Sequence, residues 1–193
     1  MNQTVQEIFD ADSGFLRAKD ISNRTQWSQL NIMFERGSVV KVKRGLYLMT
    51  ETPTDQSVEI ANMLPNDVFC MFTAWDYYKL TTNNPFEFHV AIGSKDKIVL
   101  LAYPPVKLYY WTDKSYRLGS VEIKEDKHAV KMYDLEKSVC DAVRFRNKIG
   151  MDTVTEILRN YIKRKDRDLD RLMKYAGQLR IGNIIETFLT VML

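Results

Sequence analysis

The stretch NRTQWSQLNIMFERGSVVKVKRGLYLM, residues 23–49, decides how the first fifty residues fold. Asn23 is a good helix N-cap, and Gln26 stands three positions on as its reciprocal partner. Gly37 supplies the stop, so a helix is expected from about 24 to 36. With Trp27 at the origin of a helical wheel, Leu30 and Phe34 fall within about 60° of it and form an apolar stripe. The opposite face carries Thr25, Ser28, Gln29, Ile32 and Arg36. It is polar but nearly uncharged, which suits a helix that must shed water and hydrogen-bond base edges. The segment then changes period. Val40 and Val42 alternate with Lys41 and Lys43, Arg44-Gly45 makes a turn, and Leu46 and Leu48 resume the apolar side with Tyr47 outside.

Upstream, Val5, Ile8 and Phe9 fit one face of a short helix, and SGFLRAKDI, 13–21, a second. The expected order is helix, helix, helix, hairpin, the plan of a winged helix-turn-helix. Taken alone, the hairpin reads as well as a Lys-protected sheet edge as it does as a finger for a polyanion. The helical prefix favours double-stranded DNA, because two separate segments then require one docking. The expected contact set is Arg24, Thr25, Ser28, Gln29 and Ile32 on the helix with Lys41, Lys43, Arg44 and Tyr47 on the wing. Lys41, Lys43 and Tyr47 would hold phosphates and Arg44 would enter the minor groove. Gln29 suits an adenine edge and Ile32 a thymine methyl.

Charge is distributed unevenly. Residues 1–50 hold 7 basic and 5 acidic side chains, residues 51–140 hold 10 and 13, and residues 141–193 hold 11 and 7. Two positive ends flank a slightly negative middle. Cys70 and Cys140 have no CxxC spacing, and the histidines are His89 and His128. No zinc pattern or disulfide framework follows, and reduced thiols in a cytoplasmic protein are expected. The first thirty residues lack the apolar core of a secretory leader, and no apolar run reaches membrane-spanning length.

Residues 51–57 read as a linker and 58–193 as a second domain. Strands are expected at 86–93, 106–112, 119–125 and 129–134, giving a sheet over about 86–134, with His89 on a polar surface face. Helices fill about 135–193: Asp134 caps the first, Thr153 and Glu156 box the second, and Asn183 caps the last. The fold class expected is α+β, a winged helix-turn-helix followed by a mixed sheet with a C-terminal helical bundle. Arg144, Arg146, Lys148, Lys163, Arg164, Lys165 and Arg167 cluster near helix ends. They read either as a solvated face or as a surface for an acidic or polyanionic partner.

No catalytic set emerges, so no enzyme, metal or cofactor is expected. Gly93-Ser94 has the dipeptide of a nucleotidyltransferase turn, but Asp168 and Asp170 lie far along the chain at a helix start. One residue apart on a helix, they diverge by about 200° and cannot clamp one ion.

Three segments carry a resemblance: LNIMFERGSVVKVKRGLYLM, FTAWDYYKLTTNNP and VKMYDLEKSVCDAVRFRNKIGMDTVTEILRNYI. In this order they resemble the AbiEi family of antitoxins of bacterial type IV toxin–antitoxin (abortive infection) systems. The resemblance implies a winged N-terminal domain that binds promoter inverted repeats and represses its own operon. It also implies a C-terminal domain that counteracts a nucleotidyltransferase toxin without a stable complex. A standalone ligand-responsive winged-helix regulator is the competing expectation.

Overall fold

The computed structural model describes residues 3–51, 55–83, 85–96, 103–125 and 128–192. The chain is α+β and divides into two compact units, Met1–Pro65 and Asn66–Leu193. The boundary falls after Pro65, beyond the 51–57 segment read as a linker, of which 52–54 lie outside the described residues.

The first unit runs α1 (Val5–Ala11), β1 (Phe15–Arg17), a 3₁₀ turn (Ala18–Asp20), α2 (Arg24–Glu35), β2 (Val39–Lys43), β3 (Leu46–Met49) and α3 (Gln56–Met63). Thr4 and Glu7 form a reciprocal capping box at the start of α1. The expected second helix is instead a strand and a single 3₁₀ turn. Ser13 and Gly14 both sit at positive φ, 49° and 87°, which stops a helix there and turns the chain. Phe15, Leu16 and Arg17 then pair with Leu48, Tyr47 and Leu46 of β3 in an antiparallel sheet of order β1-β3-β2.

Val39, Leu16, Tyr47 and Met49 pack with Val5, Ile8, Phe9, Leu30 and Met33 from α1 and α2. α3 is tied to the same sheet: Arg17 donates to Asn62 Oδ1 (2.6 Å) and Lys43 Nζ donates to the Met63 carbonyl (2.5 Å). The alternation expected in β2 is broken between Lys41 and Lys43, where the register shifts. Val39 and Val42 are therefore buried while Val40 is 43% exposed, because a bulge rotates the strand by one position.

The second unit carries a five-stranded mixed sheet of order β6-β5-β4-β8-β7. Its strands are β4 (Val68–Phe69), β5 (Phe88–Gly93), β6 (Val106–Trp111), β7 (Ser120–Glu125) and β8 (His128–Tyr133). The β4–β5 and β7–β8 pairs are antiparallel, and β4–β8 and β5–β6 are parallel. Its helices are α4 (Met71–Tyr77), α5 (Asp113–Arg117), α6 (Leu135–Arg144), α7 (Arg146–Ile149), α8 (Met151–Lys163), α9 (Leu169–Gln178) and α10 (Gly182–Met192).

α6 is the centre of this unit: every residue from Leu135 to Val143 is buried. Asp134 caps it, accepting from the Lys137 amide at 2.8 Å. α8 turns Val154, Ile157, Leu158 and Tyr161 inward, and α9 turns Leu172 and Ala176. Two capping expectations fail. α8 begins at Met151, and Glu156 reaches away to accept from Thr81 Oγ1 (2.7 Å) and the Thr82 amide (2.8 Å). Asn183 lies inside α10, and its carbonyl accepts from Thr187. No helix among the described residues is long and apolar enough to cross a membrane.

Candidate nucleic-acid interface

The candidate interface is built on α2. Asn23 accepts from the Gln26 amide at 2.9 Å. Gln26 is itself buried, accepting from the Ser22 amide (2.7 Å) and donating to the Gln3 carbonyl (2.7 Å). This pins the phase of the helix. Gln26, Leu30 and Met33 face the core, and Leu30 is 1% exposed. Trp27 and Phe34, expected inside, are 37% and 49% exposed. The buried centre is rotated by roughly a quarter turn from a wheel centred on Trp27, since Gln26 is locked on the inward side by its bonds to the Ser22 amide and the Gln3 carbonyl.

Arg24, Thr25, Ser28, Gln29 and Ile32 are all exposed. They do not share one direction. Counting 100° per residue from Gln26, Arg24, Ser28, Asn31 and Glu35 form the outermost row, about 140–200° away. Thr25, Ile32 and Arg36 lie on one flank, with Gln29 only about 60° from the buried centre, and Trp27 and Phe34 lie on the other flank. Asn31 and Glu35 were not singled out from sequence. The signal that could have found them is Gln26, whose capping role fixes which side of the helix points in.

At the hairpin, Lys41 and Arg44 are exposed, and Arg44 stands at a two-residue turn closed by the Lys43–Leu46 pair. Gly45 takes φ +77°, and its carbonyl accepts from the Ala18 amide at 2.8 Å, anchoring the turn to the 3₁₀ segment. Tyr47, expected outside, is half-buried against the α1–α2 core, because it shares the sheet face of Val39 and Met49. Lys43 directs its ammonium at the Met63 carbonyl. The hairpin thus presents Lys41 and Arg44 outward. From 24 to 44 the chain carries Arg24, Arg36, Lys41, Lys43 and Arg44 against a single acid, Glu35, so this part of the unit is locally cationic.

The C-terminal cations do not form one patch. Arg146 and Lys148 lie on α7 before α8, and Lys163, Arg164, Lys165 and Arg167 lie at or just beyond its far end. The 13 residues of α8 separate the two groups by about 20 Å. Several are already engaged: Arg144 with Ser115 Oγ and the Trp111 ring, Arg146 with the Val143 carbonyl, Arg164 with the Tyr78 carbonyl and Asp166, and Arg167 with the Arg164 carbonyl.

The second unit also encloses polar groups. Lys137 and Asp141 are both 0% exposed and meet at 2.7 Å to each carboxylate oxygen. The ammonium also lies 3.9 Å from the Trp111 ring centroid and 4.0 Å from that of Tyr133. Burial pushes Lys137 down and Asp141 up, each against its partner's pull. His89, expected at the surface, is 1% exposed, because its face of β5 meets Phe72 and Tyr109. Its Nδ1 lies 2.9 Å from the Tyr109 hydroxyl, and burial lowers its pKa to about 4. Gly93-Ser94 is a turn whose Gly93 amide donates to Asp96, and Asp168 is spent capping α9. Among the described residues no group of three or more His, Cys, Asp or Glu could hold a metal ion.

No family model and no curated protein matches the sequence. Solved structures do match. The RV2827C protein from Mycobacterium tuberculosis, known from a crystal structure, superposes with a TM-score of 0.60 at 12% identity, over 90% of this chain and 69% of that one. The likeness is one of fold. It spans nearly the whole chain.

Proposed function

We propose that this chain is a DNA-binding autorepressor and antitoxin of the AbiEi kind. The observation that carries the reading is the first unit: helix, strand, turn, helix and hairpin, with α2 offering a solvent-facing polar surface beside a cationic turn. In this reading α2 occupies the major groove. From the hairpin Lys41 holds the backbone and Arg44, at the turn, reaches the minor groove between its phosphates, so the two set affinity while α2 sets sequence. Tyr47 drops out of the contact set and Lys43 contributes less than an unengaged lysine would. The second unit, with its sheet and helices, is the part that opposes a nucleotidyltransferase toxin. It does so as a binding or regulatory body with no catalytic step of its own.

Fluorescence anisotropy on the duplex upstream of the protein's own reading frame tests the DNA reading. Lys41→Ala with Arg44→Ala should weaken binding to every duplex and lower the slope of log K against log salt by about two. An unchanged slope removes the wing assignment. Absence of any duplex binding by the unaltered chain removes the DNA reading. The antitoxin reading requires a nucleotidyltransferase gene beside this one: absence of such a gene, or failure of co-expression with its product to restore growth, removes the antitoxin reading.

A further inference from the structure

We infer that Asn31 is the specificity-determining residue of α2, reading an adenine in the major groove. The inference rests on the DNA-binding reading above and goes beyond it, because it reassigns base recognition from Gln29. The argument begins with the phase of the helix. Gln26, Leu30 and Met33 face the core, so the row Arg24, Ser28, Asn31, Glu35 points most directly away from it. A helix laid in a groove puts that row on the groove floor.

The members of the row divide by chemistry. Arg24 occupies the first turn, at the level where a cation meets the phosphate backbone. Ser28 is short and either donates or accepts, so it discriminates little. Glu35 sits in the last turn, where a carboxylate is repelled by phosphates, and this favours a docking in which the first two-thirds of the helix goes deepest. Asn31 lies within that portion. Its amide offers one acceptor and one donor in the spacing of adenine N6 and N7. It is exposed, and among the described residues no hydrogen bond within the chain occupies its side chain. Gln29 carries the same amide but leans about 60° from the buried centre, toward the body of the unit.

Selection of bound sequences from a random-core duplex library, with the full chain and with Asn31→Ala and Gln29→Ala, tests this. Asn31→Ala should lose its preference for adenine at one base pair by about 5- to 100-fold. Its affinity for a scrambled duplex and its salt slope should stay unchanged, and Gln29→Ala should select the same motif as the unaltered chain. Circular dichroism should show no loss of helix, since alanine is the better helix former at an exposed position. An unchanged motif in Asn31→Ala overturns the inference, as does a uniform loss of binding with a lowered salt slope. An unaltered chain that binds duplex without any motif overturns it and leaves the DNA reading standing. An unaltered chain that binds no duplex overturns both.

Discussion

Asp141→Asn should be among the most damaging conservative changes available in the second unit. It keeps the shape of the side chain and removes the charge. Lys137 would then hold an ammonium at 0% exposure with no counter-charge at the 2.7 Å contacts. Breaking a buried pair by removing one partner costs about 3–5 kcal/mol. The Trp111 and Tyr133 faces remain, but they are already in place in the unaltered protein and add nothing new. A loss of that size lowers the thermal midpoint by roughly 6–20 °C. The ammonium of the variant would be held below the ordinary lysine range, so the unfolded chain binds the extra proton. Stability of the variant should therefore rise with pH toward the unfolded lysine value, more steeply than that of the unaltered protein. Lys137→Met combined with Asp141→Leu removes both charges at similar volume and should be close to neutral. Urea unfolding followed by tryptophan fluorescence suits the question, since Trp75 and Trp111 both lie in this core. A cost below about 1 kcal/mol for Asp141→Asn, or a double variant as unstable as the single one, would refute the reasoning.

His89 gives a pH signature of the same sign. Its folded pKa of about 4 lies below the ordinary 6.5, so its contribution is complete above pH 6.5 and is lost as pH falls toward 4. The loss amounts to about 3 kcal/mol, and His89→Phe should flatten it in denaturation midpoints taken across that window. Gly119 sits at φ +68°, and a Cβ there would stand 2.6 Å from Lys137 Cβ and 3.0 Å from Asp134 Oδ1. Gly119→Ala should therefore lower unfolding stability by roughly 2–6 kcal/mol, the sum of backbone strain and overpacking; a change under about 1 kcal/mol in urea titration would show that the α6 N-terminus can yield.

Periodicity made much of the fold legible. The four strands of the sheet from β5 to β8 and the inward stripes of α8 and α9 follow directly from alternation and from the 3.6-residue period. What stayed hidden needed a third dimension. Trp27 drew the helical wheel toward itself because aromatics are usually interior, whereas a glutamine locked between two backbone groups set the true phase. The bulge at Lys41–Lys43 moved burial from Val40 to Val39, and alternation cannot encode an extra residue in one strand. His89 alternates as a surface residue would, yet both faces of β5 are enclosed. Glu156 matches a capping box by spacing and instead holds the Thr81–Thr82 loop from 74 positions away. The residues expected on the polar face of α2 are exposed, but their division into an outermost row and two flanks became visible only with the core contacts.

The burial of α6 from Leu135 to Val143 has a dynamic consequence. Its backbone hydrogen bonds are out of reach of water as long as the helices and strands around it are in place, so no fraying or local loop motion can expose them. Its central amides exchange with solvent only when the surrounding unit opens as a whole. The slowest-exchanging amides of this helix would thus report the global opening free energy of the unit, while α10, whose Val191 is 81% exposed, reports the shallow end of the same scale.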